Sequence, residues 1–246
     1  DHLSASWSCD ELFSVVHCRN VTVQWCLLAE PLANPALHPY GDRHAFGFNA
    51  SASTLSVHHC LFARYVMRGP QFEANDMRKG DGYAVQMEAV ENVMGGYERS
   101  GSRYTTGVED HRDEAAPEGY EFQFLGNVYL GDGDKPMIEA AMKHGVHPKV
   151  RVHLEDPALM RLGDTKGRED LIPAAKGQLR DEPLFRTSAT NTDSDPEVTL
   201  RSVLAGAGCS QVRDAVDARI VGEVQRREFP PVLSSQAEVG GWPELR

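Results

Sequence analysis

Five stretches of this chain repeat one arrangement. Alternating apolar residues lead to a small residue at a fixed place, occupied in turn by Cys26, Cys60, Asn92, Asn127 and Asp156. In the first four copies a bulky apolar pair follows: Leu27-Leu28, Leu61-Phe62, Val93-Met94 and Val128-Tyr129. The fifth breaks the rule with Pro157. The alternation upstream is carried by Val21, Val23 and Trp25, by Val85 and Met87, by Phe122 and Phe124, and by Val150, Val152 and Leu154. A period of two residues belongs to strands with one face buried. Copies about 30 to 35 residues apart leave no room for a full crossover helix in each, and there is little 3.6-residue periodicity before about residue 135. Strands joined by bends and stacked copy on copy predict an all-β chain wound as a right-handed parallel β-helix. A β-sandwich with irregular loops is the competing reading, and it leaves the repeat unexplained. The fixed small residue suits an inward-facing ladder, with amides and thiols stacked along the axis.

The chain has 246 residues, 41% of them hydrophobic, which is enough for one sizeable core and an appendage. A net charge of −11 argues against nucleic acid and against an acidic membrane surface as partners. No apolar run approaches the length of a membrane-spanning helix. Cys9, Cys18, Cys26, Cys60 and Cys209 show no C-x-x-C spacing, so a thiolate zinc site is not expected. Cys26 and Cys60 occupy the ladder position and read as stacked, buried thiols rather than a disulfide.

Residues 1–159 hold the repeats and residues 160–246 a different kind of sequence. Gly95–Pro117, rich in Arg, Ser, Thr and acids, reads as a surface loop that either walls a cleft or is simply solvated. Residues 160–194 read as an extended segment lying along the solenoid. Asp195-Pro196-Glu197 is a helix start: a capping side chain, a proline at the first helical position and an acid in the first turn. Gly206 and Gly208 stop that helix. A second runs from about Arg213 to Arg227, with Val216, Ile220, Val221 and Val224 on one face. Two short amphipathic helices after a solenoid predict a cap or clamp. The first residues, Asp1-His2-Leu3-Ser4, already look like strand, so the chain reads as an N-terminally truncated or processed product.

Several segments, in order, resemble the pectate lyase family of polysaccharide lyases. They are Asp1-His2 with Ser6-Trp7 and Asp10-Glu11; the strand Asn20–Cys26; the loop bearing His38, Gly41 and His44; and His58-His59 with Leu61-Phe62-Ala63 and Arg68-x-Pro70. The C-terminal V-R-D-A-V-D-A-R-I-V and E-V-G-G-W-P-E-L resemble the tail of a bacterial branch of such lyases. The resemblance is densest over residues 1–72 and 200–246.

The resemblance implies a right-handed parallel β-helix that cleaves a uronic-acid polymer by calcium-assisted β-elimination. It implies calcium as cofactor, a polyuronate glycan as partner, a monomer, and a secreted or periplasmic parent. Arg68 takes the place of the family's arginine base, and Asp10 and Glu11 the place of a calcium-binding carboxylate, with Glu30 as a further acid that could join them. His38 and His44 either contact the sugar or hold their loop. Arg64 is either a contact to a substrate carboxylate or a surface residue. His58-His59 read as structural, and Trp7 and Trp25 as packing residues. The chain departs from the family at Ser14, Gln71 and Glu73, where a carboxylate, an arginine and a second arginine are usual. Those departures keep a second reading open, a glycan-binding β-helix without turnover. A glycoside hydrolase on the same scaffold is a third, and it needs two carboxylates about 5 to 9 Å apart.

Overall fold

The computed structural model of the protein describes residues 1–74, 84–107, 119–131, 135–142, 145–154, 176–190 and 195–242. The chain visits three all-parallel sheets in a fixed order and stacks each pass on the last. Sheet A holds β1 (Ser4–Ser6), β4 (Leu27–Ala29), β7 (Leu61–Ala63), β10 (Val93–Gly95) and β13 (Val128–Leu130). Sheet B holds β2 (Glu11–Cys18), β5 (Phe46–Ala52), β8 (Gln71–Phe72), β11 (Ser102–Thr105) and β14 (Ile138–Ala141). Sheet C holds β3 (Val21–Gln24), β6 (Thr54–His58), β9 (Val85–Val90), β12 (Tyr120–Leu125), β15 (Val150–Leu154) and β16 (Leu179–Arg180). The repeat read from the sequence is the passage from sheet C to sheet A. The result is a parallel β-solenoid.

Each such passage turns on a residue in the left-handed region, Trp25, His59, Glu91 and Gly126. That conformation is costly for a residue with a Cβ, about 1 to 2 kcal/mol. The ladder residue that follows each one offsets the cost by satisfying backbone that the bend strips of strand partners. Asn92 Oδ1 accepts the Cys60 N–H, and Asn127 Oδ1 accepts both the backbone and the side-chain N–H of Asn92. Asn92 and Asn127 donate to the carbonyls of Val57 and Ala89, and the Cys60 thiol repeats that contact weakly with Val23. Cys26 and Cys60 are free buried thiols, as the ladder position requires. The fifth ladder position, Asp156, lies outside the described residues.

The core fills the tube between the sheets. Aromatic rings meet from coil to coil: Phe72 stacks on Phe124 and is tilted against Phe122, Tyr65 is tilted against Tyr97, and Tyr97 meets Tyr129 edge-on. In β4, β7, β10 and β13 the three-residue strands of sheet A are apolar on both faces because both are covered. Leu28, Phe62, Met94 and Tyr129 point into the tube. Leu27, Leu61, Val93 and Val128 meet Leu200 and Val203 of α1 (Pro196–Gly206) and Ile220 and Val224 of α2 (Ala215–Arg226). The two helices thus lie along the side of the tube. Asp195 caps α1 through its side chain, with Pro196 at the first helical position. Gly206 lies so close to the Trp25 ring that a Cβ there would overlap it at 2.6 Å.

Residues 176–190 run beside sheet C. Ser188 donates to Glu88, Gln123 donates to the Phe185 carbonyl, and β16 extends the sheet. The stretch Gly95–Pro117 is not a loop throughout. Ser102–Thr105 is strand β11, with Tyr104 buried in the core and Arg103 beside Gln71 of the previous coil. Residues 108–117 of that stretch lie outside the described residues, as do 160–175 and 191–194.

Candidate functional site

The outer face of sheet B is built by register. Ser14, Asn49, Gln71, Arg103 and Glu139 pair across successive coils, so they share one face. Phe48, Phe72 and Tyr104, which alternate with them, are buried in the tube. The polar row is bonded along its length. Gln71 donates to Asn49 Oδ1 at 2.9 Å and to Glu73 Oε1 at 2.7 Å, and Arg103 Nε sits 3.4 Å from Glu139 Oε2.

The leading edge of this sheet gathers five of the residues singled out from sequence. Glu11 opens β2, Phe46 opens β5, and Met67-Arg68 runs in front of β8. Glu11 pairs with Phe46, and Phe46 bridges to Met67, so three coils bring their side chains to one place. Arg68 adopts a left-handed backbone, φ 72°, ahead of a cis Gly69-Pro70 bond. Its carbonyl accepts the Phe48 N–H at 2.5 Å. Gly47 makes this approach feasible, because a Cβ there would run into the Arg68 carbonyl. The guanidinium lies over the Phe46 ring, 4.1 Å from its centre, and pairs with Glu11 through Nη1. Its Nε is buried with no hydrogen-bond partner.

Asp10 and the loop before β5 complete the cluster. Asn34 caps a short 3-10 turn at Pro35–Leu37, which delivers His38. His44 Nδ1 lies 2.7 Å from Asp10 Oδ1, and His38 Nε2 lies 3.4 Å from Asp10 Oδ2. The two imidazoles are 3.6 Å apart, centre to centre. Tyr40 stands beside His38 with its ring in solvent. Burial pushes the Asp10 carboxyl up, but hydrogen bonds from His44, Glu11 and His38 and the charge of His44 hold it below the usual range. Burial raises the Glu11 carboxyl, and the neighbouring Asp10 raises it further, with Arg68 opposing both. Two adjacent carboxyls pushed apart in this way are a mark of a reactive site.

Arg64 is elsewhere. It is buried beneath α2, pairs with Glu30 at 2.9 Å and donates to the Pro231 carbonyl. It is neither a surface residue nor placed to meet a substrate. Its partner Glu30 is fully buried and also holds Arg219 and the Trp7 indole, so Glu30 does not join Asp10 and Glu11. His58 and His59 are buried and contact each other, and His59 pairs with Glu91. Trp25 stacks on His59.

Arg103 is the residue that sequence reasoning missed. It sits next to Gln71 on the outer face of sheet B, close enough to Arg68 for their charges to interact, and burial is the main cause that lowers its pKa. The signal was present: Tyr104 falls 32 residues after Phe72, one coil on.

Calcium takes six to eight oxygen ligands. Asp10 and Glu11 are the carboxylates brought together here among the described residues, and both are engaged, Glu11 by Arg68 and Asp10 by two imidazoles. That set does not form a calcium cage. The sequence matches no family model, and no curated protein matches it. Fold and site together define a parallel β-solenoid with a polar sheet face and a carboxylate, imidazole and guanidinium cluster at its edge.

Proposed function

We propose that the chain is a polyuronate lyase of the pectate lyase type, with the polymer lying along the outer face of sheet B. The observation that carries this reading is the position of Arg68, held against Glu11 beside Asp10 at the edge of a polar, solenoid-long face. A solenoid offers an extended surface of regular pitch, which suits a linear polymer.

β-Elimination on a uronate has three requirements. The carboxylate charge must be offset, the proton on the adjacent carbon must be removed, and the leaving glycosidic oxygen must take up a proton. Arg103 is the cation on this face for the carboxylate, which must displace Glu139 to meet the guanidinium in a two-pronged geometry. Arg68 takes the ring proton. The C–H electrons form the new double bond, the bond to the glycosidic oxygen breaks, and that oxygen collects a proton from solvent. A guanidine accepts a proton only in its neutral form, which is scarce below strongly alkaline pH. The rate is therefore expected to climb with pH. Glu11 must release Arg68 before the proton transfer, because an ion pair with a carboxylate favours the protonated guanidinium that cannot accept it.

The test is direct. Elimination leaves an unsaturated sugar that absorbs in the ultraviolet. Wild type should produce it from polygalacturonate and Arg68→Ala should not. Absence of unsaturated product from every uronate polymer tried refutes the reading. Glu73, hydrogen-bonded to Gln71 in the middle of the face, supports the second reading of a glycan-binding solenoid without turnover. That reading gives glycan binding in both proteins and product in neither. A glycosidase is disfavoured, because Asp10 and Glu11 are within hydrogen-bonding reach of each other, whereas a glycosidase pair stands about 5 Å or more apart.

A further inference from the structure

The cluster of Asp10, His38 and His44 has a chemistry that the polymer does not account for. Two imidazoles from one loop converge on a single carboxylate from the neighbouring coil. One ring nitrogen from each histidine and one oxygen of Asp10 all lie within 4.8 Å of one another. We infer that Asp10, His38 and His44 form a binding site for one divalent borderline cation of the zinc class. This stands on the geometry of the three side chains and does not rest on the proposed lyase activity.

Donor type and spacing both point to such an ion. Two nitrogens and one carboxylate oxygen are the ligands that zinc and its neighbours prefer, and an open fourth position for water completes the tetrahedron. Zinc bonds of about 2.0 to 2.1 Å at tetrahedral angles separate neighbouring donors by about 3.3 Å. The observed separations of 2.7 Å and 3.4 Å bracket that value. A cation can therefore replace the two imidazole-to-carboxylate contacts with small side-chain adjustments.

The surroundings allow this. His38 is almost wholly buried and fixes the inner wall, while the Asp10 side chain is 42% exposed and leaves an entry path. The guanidinium of Arg68 at this edge has its charge offset by Glu11, and that of Arg43, beside His44 in the chain, is paired with Glu98. Binding moves protons in a defined way. Each imidazole must present a bare nitrogen to the ion, so His38 carries its proton on Nδ1 once Nε2 is bound. The long 3.4 Å contact from the Tyr40 N–H to Nδ1 is then given up. Each ring gives the proton on its metal-facing nitrogen to solvent and, as a neutral ligand, holds one on its far nitrogen, taken up from solvent where that nitrogen was bare.

The full chain is stripped of metal with chelator and titrated with Zn2+ in a large excess of Ca2+. One Zn2+ should bind per chain. Asp10→Asn and His44→Ala should each weaken it by about 100-fold, at the top of the range for disturbing even an outer-shell partner. Co2+ should report the same site through visible absorption bands of a low-coordinate ion, lost in both variants. Thermal melts of the variants without metal check that they are folded. His38→Ala is avoided as a first test because it empties a packed position. No uptake by wild type overturns the inference. So does displacement of Zn2+ by Ca2+ at equal concentration, or uptake unchanged in both variants, which would place the ion elsewhere. Arg68→Ala should bind Zn2+ as wild type does, so failure of the lyase reading and failure of the metal site are read separately.

Discussion

Replacing Glu30 with Gln should loosen the helical clamp while leaving the solenoid wound. Glu30 is fully buried where sheet A meets α2, and it accepts hydrogen bonds from Arg64 at 2.9 Å, from Arg219 at 2.7 and 2.8 Å, and from Trp7 at 3.1 Å. Gln is nearly isosteric, so the change is chiefly loss of one negative charge between two guanidiniums. Removing one partner of a buried ion pair costs about 3 to 5 kcal/mol. Arg219 is 25% exposed and can recover part of its hydration, and Arg64 is 11% exposed and recovers little. The lower end, about 3 kcal/mol, is expected. For a chain of this size that is about 6 to 12 °C in melting temperature, if the clamp and solenoid unfold together. If the clamp opens alone, the cost appears instead as faster tryptic cleavage after Arg219 and Arg226 and faster amide exchange in α2. Burial pushes the Glu30 carboxyl up, but hydrogen bonds and charge from Arg219, with Trp7 and Arg64, hold it below its ordinary 4.5. A lowered folded value means that this stabilisation is complete above pH 4.5 and fades as pH falls through the folded value. Wild type and Glu30→Gln should therefore differ fully at neutral pH and converge in acid. A variant within about 0.5 kcal/mol of wild type at pH 7, with α2 equally protected, would show that the pair contributes specificity rather than stability.

Other outcomes follow from the same structure. Arg68→Ala should abolish unsaturated product with little change in melting temperature. Arg64→Ala should do the reverse, lowering stability by about 2 to 3 kcal/mol by leaving Glu30 short of a partner, with product formation retained at temperatures where it is folded. Gly47→Ala should displace the Arg68 carbonyl and cut turnover at least tenfold, while polymer affinity measured by gel retardation changes little. Asn92→Leu leaves the Cys60 N–H and the Val57 carbonyl unpaired inside the tube, and should cost about 2 to 4 kcal/mol in urea denaturation. A near-neutral result there would mean that the ladder is decoration.

Much of the solenoid was legible because its coils obey local rules. Period-two alternation gave the strands of sheet C, the apolar pairs gave sheet A, and Cys26, Cys60, Asn92 and Asn127 fell on one line because a parallel register stacks equivalent residues. Sheet B was harder to read. Its strands range from two residues in β8 to eight in β2 and carry a polar outer row, so β11 looks like loop when Arg103 is read without Gln71 beside it. The start of α1 was readable from Asp195 and Pro196, since caps are local chemistry, whereas Gly206 is the last helical residue and is required by the nearby Trp25 ring.

Sequence alone determined the repeat and the ladder, because each follows from neighbours along the chain, while Asp10, Glu11, His38, His44 and Arg68 were singled out only through the family resemblance. Only the tertiary structure decided how those residues are paired. Arg64 and Arg68 are four residues apart, on either side of a bend, and they end in different environments. One is locked under α2 by a glutamate 34 positions upstream, and the other lies at the leading edge of sheet B against a glutamate 57 positions upstream. Asp10 likewise meets two histidines, rather than further acids, because the next coil lays its loop across it. Charge pairing depends on distance through space, and winding a chain into coils sets that distance independently of separation in sequence.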